Sequence, residues 1–254
     1  MSVLDGLLAG IVADPLEETR WLVLADWLEE FDDPRRAEFL RLHRKMLATC
    51  CEPARHPDRA EWQARIVALI AEGVRPCVPQ KTITLPGGVE MAFSFIPPGS
   101  FLMGSDHQEG YDEEKPVHRV TLTKGFFLGT HPVTQAQWKA ITNATPSYFK
   151  GNNRPVETVS WDDCQLFCEM LTAHLGGGGA VGFPSEAEWE YACRAGTTTE
   201  FYFGDIITPD LVNYDGNGTW NGSPEGKSRE ETTEVGSFPA NPWGLGDMHG
   251  NVWE

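Results

Sequence analysis

Residues 183–196 read as a short helix with both ends specified, which constrains everything that must pack around it. Ser185 stands at the N-cap, and Glu188, three residues on, is placed to return a bond to the cap backbone. Glu186 and Glu188 put negative charge at the positive end of the helix dipole, with Arg194 near the other end. Gly196 supplies the left-handed residue that stops the helix. Trp189, Ala192 and Cys193 fall three and four apart, so one face must be buried. Two other segments are built alike. Thr134 caps a predicted helix over 135–142 that buries Trp138 and Ile141. Ser160 and Asp163 form a capping box for a helix running to about residue 175, with Cys164, Phe167, Cys168 and Leu171 inside. With 26 Gly, 18 Pro and nine Trp, the chain is expected to be rich in turns and anchored by buried aromatics.

Strands surround these helices. Residues 82–85 and 91–96 read as two strands about the Pro86-Gly87-Gly88 turn; 117–122 alternates, and 125–129 is a further apolar strand. Residues 1–48 and 61–73 are helical instead: Trp21, Leu24, Ala25, Leu28 and Phe31 recur at helical spacing, as do Trp62, Ile66, Leu69 and Ile70. The prolines at 76 and 79 break the pattern, which predicts domains over 1–75 and 81–254 with a linker at 76–80. The acids Glu17, Glu18, Asp26, Glu29 and Glu30 read as a solvated helix face. The four glycines at 176–179 lack the ending of a phosphate loop and read as a connector. Residues 213–231 form a long polar loop that something must organise.

The net charge of −17 argues against nucleic acid and against anionic membrane surfaces. No basic leader and no apolar run of transmembrane length is present, so a cytoplasmic location is the expectation. None of the six cysteines forms a Cys-x-x-Cys pair, and in that compartment they read as buried or free thiols. His107, His118, His131 and His249 share no spacing and read as surface or turn residues.

Five ordered segments carry a family resemblance: 97–105, 132–138, 155–163, Ser185-Glu186-Ala187-Glu188-Trp189-Glu190-Tyr191-Ala192, and 243–254, which ends in Gly250-Asn251-Val252-Trp253-Glu254. Together they resemble the formylglycine-generating enzyme, or sulfatase-modifying factor, family over about residues 81–254. This implies an α+β, C-type-lectin-like fold with much irregular structure. Val181-Gly182-Phe183 departs from the Arg-Leu that the family usually carries before the proline. Residues 20–30 and 36–42 resemble the bacterial repeat-companion domain, whose function is not established.

Active members of that family oxidise a cysteine of a sulfatase-type peptide to formylglycine with a cysteine pair that binds Cu(I), a soft cation suited to thiolates. The resemblance places the pair downstream of Glu254, so no catalytic residue is assigned here and the 254 residues are expected to be inactive alone, as a fragment or a natural truncation. Cys168 and Cys193 match positions that form disulfides in some members with cysteines still further on. Cys164 and Cys168, on an apolar helix face, read as structural. The resemblance also implies structural calcium. Asp247 and Glu254 would give side-chain oxygens, and Gly250 and Val252 backbone carbonyls; Asn213 and the Tyr214 carbonyl would start a second set, whose remainder near 226–231 departs from the pattern. Trp253 corresponds to a residue beside the reactive groove. The competing reading is a non-catalytic protein- or ligand-binding module on the same fold. A sulfoxide synthase of the ergothioneine type is rejected, because residues 1–75 contain only His43 and His56 as ligands for its iron.

Overall fold

The computed structural model describes residues 2–105, 112–218 and 222–254, so His107 lies outside the described residues. Four helices open the chain: α1 (Val3–Ala13), α2 (Glu18–Phe31), α3 (Pro34–Thr49) and α4 (Arg59–Ala71). Asp33 caps α3 through a bond from the Arg35 N–H, and Pro34 occupies the first turn, where no amide hydrogen is needed. The helix α3 serves two cores. Ala37 and Leu40 meet Ile11, Trp21, Leu24 and Leu28, while Phe39 and Met46 meet Ile66 and Leu69 of α4. The acidic face of α2 does not simply face water. Arg41 donates to Asp26 at 2.7 Å and Glu29 at 2.6 Å, and Arg44 pairs with Glu18. Such exposed pairs contribute up to about 1 kcal/mol each, so they fix register more than they stabilise.

Five strands follow: β1 (Gln80–Thr84), β2 (Glu90–Ile96), β3 (Gly99–Met103), β4 (His118–Leu122) and β5 (Phe126–Gly129). β1, β2 and β5 form an antiparallel sheet in that order, and β3 pairs with β4 as a separate ribbon. Gly87, at φ +78°, makes the turn between β1 and β2, a conformation a side chain resists. Three helices complete the fold: α5 (Gln135–Thr142), α6 (Trp161–His174) and α7 (Glu186–Arg194). Each begins with a reciprocal capping box; in α7 the Glu188 N–H reaches Ser185 Oγ at 3.3 Å and the Ser185 N–H reaches Glu188 Oε2 at 2.8 Å. Among the described residues no helix is long and apolar enough to cross a membrane.

The central core joins the buried side of α7 to the 241–248 turn. Tyr191, Ala192 and Cys193 pack with Ile96, Phe101, Trp243, Leu245 and Met248. The N-terminal helices rest on the far end of α7. His43 Nε2 lies 3.0 Å from the Ala195 carbonyl, so that nitrogen carries the proton, and its ring meets Trp243 edge-on at 4.3 Å. Burial holds His43 down at about 3, so it stays neutral. Arg59 donates to the Gly196 carbonyl, and Gln63 Nε2 to Thr199 Oγ1 at 2.7 Å.

Candidate functional site

A cleft of about 570 Å³ opens between β2, β5, α5, α6 and the 248–254 segment. Its floor is apolar because each contributing element turns its buried stripe inward. Met91 and Phe93 come from β2, Trp138 from α5 and Phe167 from α6, the last two stacked at 5.1 Å with rings 3° apart. Cys164 and Cys168 share this wall as free thiols. Burial raises both above the ordinary thiol range; Asp163 raises Cys164 further, and Cys164 and then Glu169 raise Cys168. Among the described residues every neighbour that acts on the two thiols disfavours their ionisation, so they do not fit the copper pair implied by the resemblance.

The rim is aromatic and acidic. Trp253 is fully exposed, contrary to the buried role that most tryptophans in such a chain fill. Trp161 and Phe183, both exposed, stack at 5.2 Å. Glu186 and Glu254 line the same space, and Glu254 Oε2 accepts the Trp189 indole N–H at 2.7 Å, pinning the 252–254 segment to α7. In sequence, Glu186 was legible only as a dipole charge, and the Trp161–Phe183 pair not at all, because 22 positions separate the two rings.

Next to the cleft lies the oxygen-rich turn. Asp247 is buried, takes a positive φ of 57°, and its Oδ2 accepts the Gly236 N–H at 2.8 Å. Burial is the main cause of its raised pKa. Glu254, although exposed as a residue, also has a raised carboxyl pKa, chiefly from burial of the acid group and in part from the charge of Asp247. The carbonyl of Gly250 accepts the Val252 N–H at 2.9 Å. Asn213 and Gly250 form a parallel bridge, and Asn213 Nδ2 donates to Asn251 Oδ1 at 3.1 Å. The structure therefore sets Asn213 of one candidate oxygen set beside Gly250 of the other. Tyr214 is half-buried, with its hydroxyl lacking a partner. Asn213 Nδ2 also holds the Glu231 carbonyl at 2.8 Å, while Arg229 donates to Pro209 O at 2.7 Å and Val212 O at 3.4 Å. A guanidinium thus ties down the long polar loop. Among the described residues no group of three or more His, Cys, Asp and Glu gathers around a metal position.

His249, expected as a surface or turn residue, lies in a bend but is half-buried. It is boxed by the rings of Phe201, Tyr202 and Phe203, at 5.1 to 5.6 Å, with Cys193 Sγ 3.7 Å from Nε2. Burial depresses the histidine to about 4 and pushes Cys193 up to about 12. Both stay neutral, so the pair packs and does not act as a thiolate–imidazolium couple.

With this geometry in place, comparisons locate the chain among known proteins. The profile described as sulfatase-modifying factor enzyme 1-like domain matches residues 84–254. The chain is similar to a formylglycine-generating enzyme of Mycobacterium tuberculosis, at 30% identity over 228 residues, covering 63% of this chain and 71% of that one. It is also similar to the mouse inactive C-alpha-formylglycine-generating enzyme 2, at 27% identity over 221 residues, covering 64% and 67%. Among solved structures, Treponema denticola variable protein 1 aligns with a TM-score of 0.52 at 26% identity, covering 68% and 74%. Across three curated relatives the chain spans 60% to 71% of their length.

Proposed function

Because the chain belongs to the family of sulfatase-modifying factor enzyme 1-like domains, we propose that it supplies the peptide-binding scaffold of a formylglycine-generating enzyme. On this reading the cleft takes an extended segment of a sulfatase-type protein. Trp253 carries the proposal: a fully exposed indole beside an apolar cleft fits a contact surface. Glu186 and Glu254 would favour a basic residue in the bound segment. The thiols in the cleft wall lack the surroundings for copper, so binding, and not conversion, is assigned to the residues present. Asp247, Glu254 and the carbonyls of Gly250 and Val252 would hold a hard divalent cation such as calcium, whose charge would offset the burial of Asp247. Asn213 and the Tyr214 carbonyl would contribute to a second set, in a loop that Arg229 ties down through the carbonyls of Pro209 and Val212. We read the fold as C-type-lectin-like, helices α1 to α4 as a repeat-companion-type unit, and the location as cytoplasmic.

The test is tryptophan fluorescence of the chain titrated with a Cys-x-Pro-x-Arg peptide. A saturable change that Trp253→Ala abolishes is expected; no change at millimolar peptide would remove the proposal. A second reading, a non-catalytic module for other ligands, is favoured by the similarity to a mouse protein named as inactive. It predicts that a peptide without the cysteine, or without the motif, binds equally well.

A further inference from the structure

We propose that the outer edge of β5 receives the bound segment, which pairs with it as a further strand of the β1-β2-β5 sheet. This rests on the reading of the cleft as a site for an extended segment and adds how the segment's backbone is held. In an antiparallel pair each residue turns its N–H and C=O to the same side, and successive residues alternate. Phe95 sends its N–H to the Pro79 carbonyl at 2.9 Å, on the β1 side, so Ser94 and Ile96 face β5. Their register partners, Leu128 and Phe126, therefore face β2, and the Thr130 N–H continues that side with a bond to the Ala92 carbonyl at 3.0 Å. Phe127 and Gly129 alternate with these residues and turn both backbone groups outward. Among the described residues β5 pairs with no strand but β2, and no loop bonds those four groups. The open stretch stops at Thr130, whose carbonyl accepts the Gly246 N–H at 2.8 Å.

The edge opens onto the cleft. Leu128 and Gly129 belong to opposite faces of the sheet, yet both line it, as they would for a space lying off the side of the strand. Gly129 carries no side chain to obstruct a neighbour about 4.8 Å away. The sheet's other outer strand, β1, is exposed along most of its length and carries Lys81, the kind of edge that resists pairing. β5, Phe126-Phe127-Leu128-Gly129, has neither charge nor proline. The occupant is a segment of another protein that carries a basic residue. Two copies of a chain of net charge −17 repel, whereas Glu186 and Glu254 on the same cleft attract a cation. Two outward-facing residues two positions apart bind two residues of the segment with the same spacing. A proline between those two is tolerated, because its nitrogen faces away from β5.

The experiment titrates the full chain with Cys-x-Pro-x-Arg peptides N-methylated at one amide at a time, read by tryptophan fluorescence, so the protein itself is unchanged. Methylation of either x residue, on the two sides of the proline, should weaken binding about tenfold, through a lost hydrogen bond and the clash of the methyl group. Methylation at the cysteine or the arginine should cost less than about twofold, since those amides face away. Gly129→Pro should match the larger loss. Gly129→Ala should bind like the parent, because its Cβ would meet only the His131 carbonyl at 3.4 Å. Equal losses at all four amides, losses at the cysteine and arginine amides alone, or no loss at any, would overturn the strand pairing and leave the reading of the cleft standing. Failure of the unmethylated peptide to bind would overturn both. Dimerisation in sedimentation that Gly129→Pro abolishes would show that the edge takes a second copy instead, and would also overturn the proposal.

Discussion

Replacing Asn241 by alanine should cost about 4 kcal/mol, and the structure shows where that figure comes from. The side chain is wholly buried. Its Nδ2 donates to the carbonyls of Ala192 at 2.8 Å and Cys193 at 3.2 Å, near the end of α7. Its Oδ1 accepts the N–H groups of Trp243 at 2.9 Å and Leu245 at 3.2 Å. The one amide therefore ties the last turn of α7 to the turn that carries Trp243, Leu245 and Asp247. Alanine strands two donors and two acceptors in a dry core. Each orphaned group costs about 1–3 kcal/mol, and the helix-end carbonyls have partial alternatives, so the two N–H groups set a range of about 2–6 kcal/mol. Against a total stability of about 5–15 kcal/mol, a loss in the middle of that range is large. Urea unfolding followed by tryptophan emission measures it, with an unchanged m-value confirming that the native state is affected. Asn241→Asp keeps the acceptors but buries a charge, so its deficit should shrink as pH falls. An Asn241→Ala variant within 1 kcal/mol of the parent would refute the reasoning.

The remaining predictions concern the oxygen-rich turn and the caps. Asp247 has a raised pKa in the fold, so its protonated form contributes stability that is complete below its ordinary value of 3.8 and is lost as pH rises through the folded value. Its own contribution, isolated as the difference from Asp247→Asn, should therefore favour the calcium-free chain at pH 5 over pH 7. Millimolar calcium should raise the melting temperature at pH 7 in the parent and not in Asp247→Asn; an equal rise in both would place the ion elsewhere. Ser185→Ala should cost about 1 kcal/mol through the lost cap of α7, read by thermal melting, and a neutral result would show that packing alone holds that helix.

The starts of the three capped helices were legible because each capping box is local, and α5 spans the residues expected, whereas the left-handed stop of α7 falls on Ala195, one residue before the Gly196 that the sequence offered. The strands at 91–96 and 117–122 were equally readable, since alternation is local too. What escaped was set by distance along the chain. His249 reads as a turn residue until Phe201, Tyr202, Phe203 and Cys193 close around it. The α2 acids read as a solvated face because their partners, Arg41 and Arg44, lie a helix away. His43 and Arg59 carried no signal of the seam, as their acceptors are carbonyls of Ala195 and Gly196, and a backbone carbonyl leaves no mark on composition. The candidate oxygen ligands came from resemblance; the adjacency of Asn213 to Gly250 came only from the fold. Trp253 illustrates the converse, a residue whose type suggests burial and whose position exposes it.

Mass spectrometry of a Cys-x-Pro-x-Arg peptide, incubated with the copper-supplemented 254-residue chain and oxygen, decides between binding and conversion. We expect the peptide to return with its thiol intact while still quenching Trp253. Loss of mass at the cysteine, corresponding to CH₂SH becoming CHO, would show that thiols already present carry out the oxidation and would contradict the assignment made here.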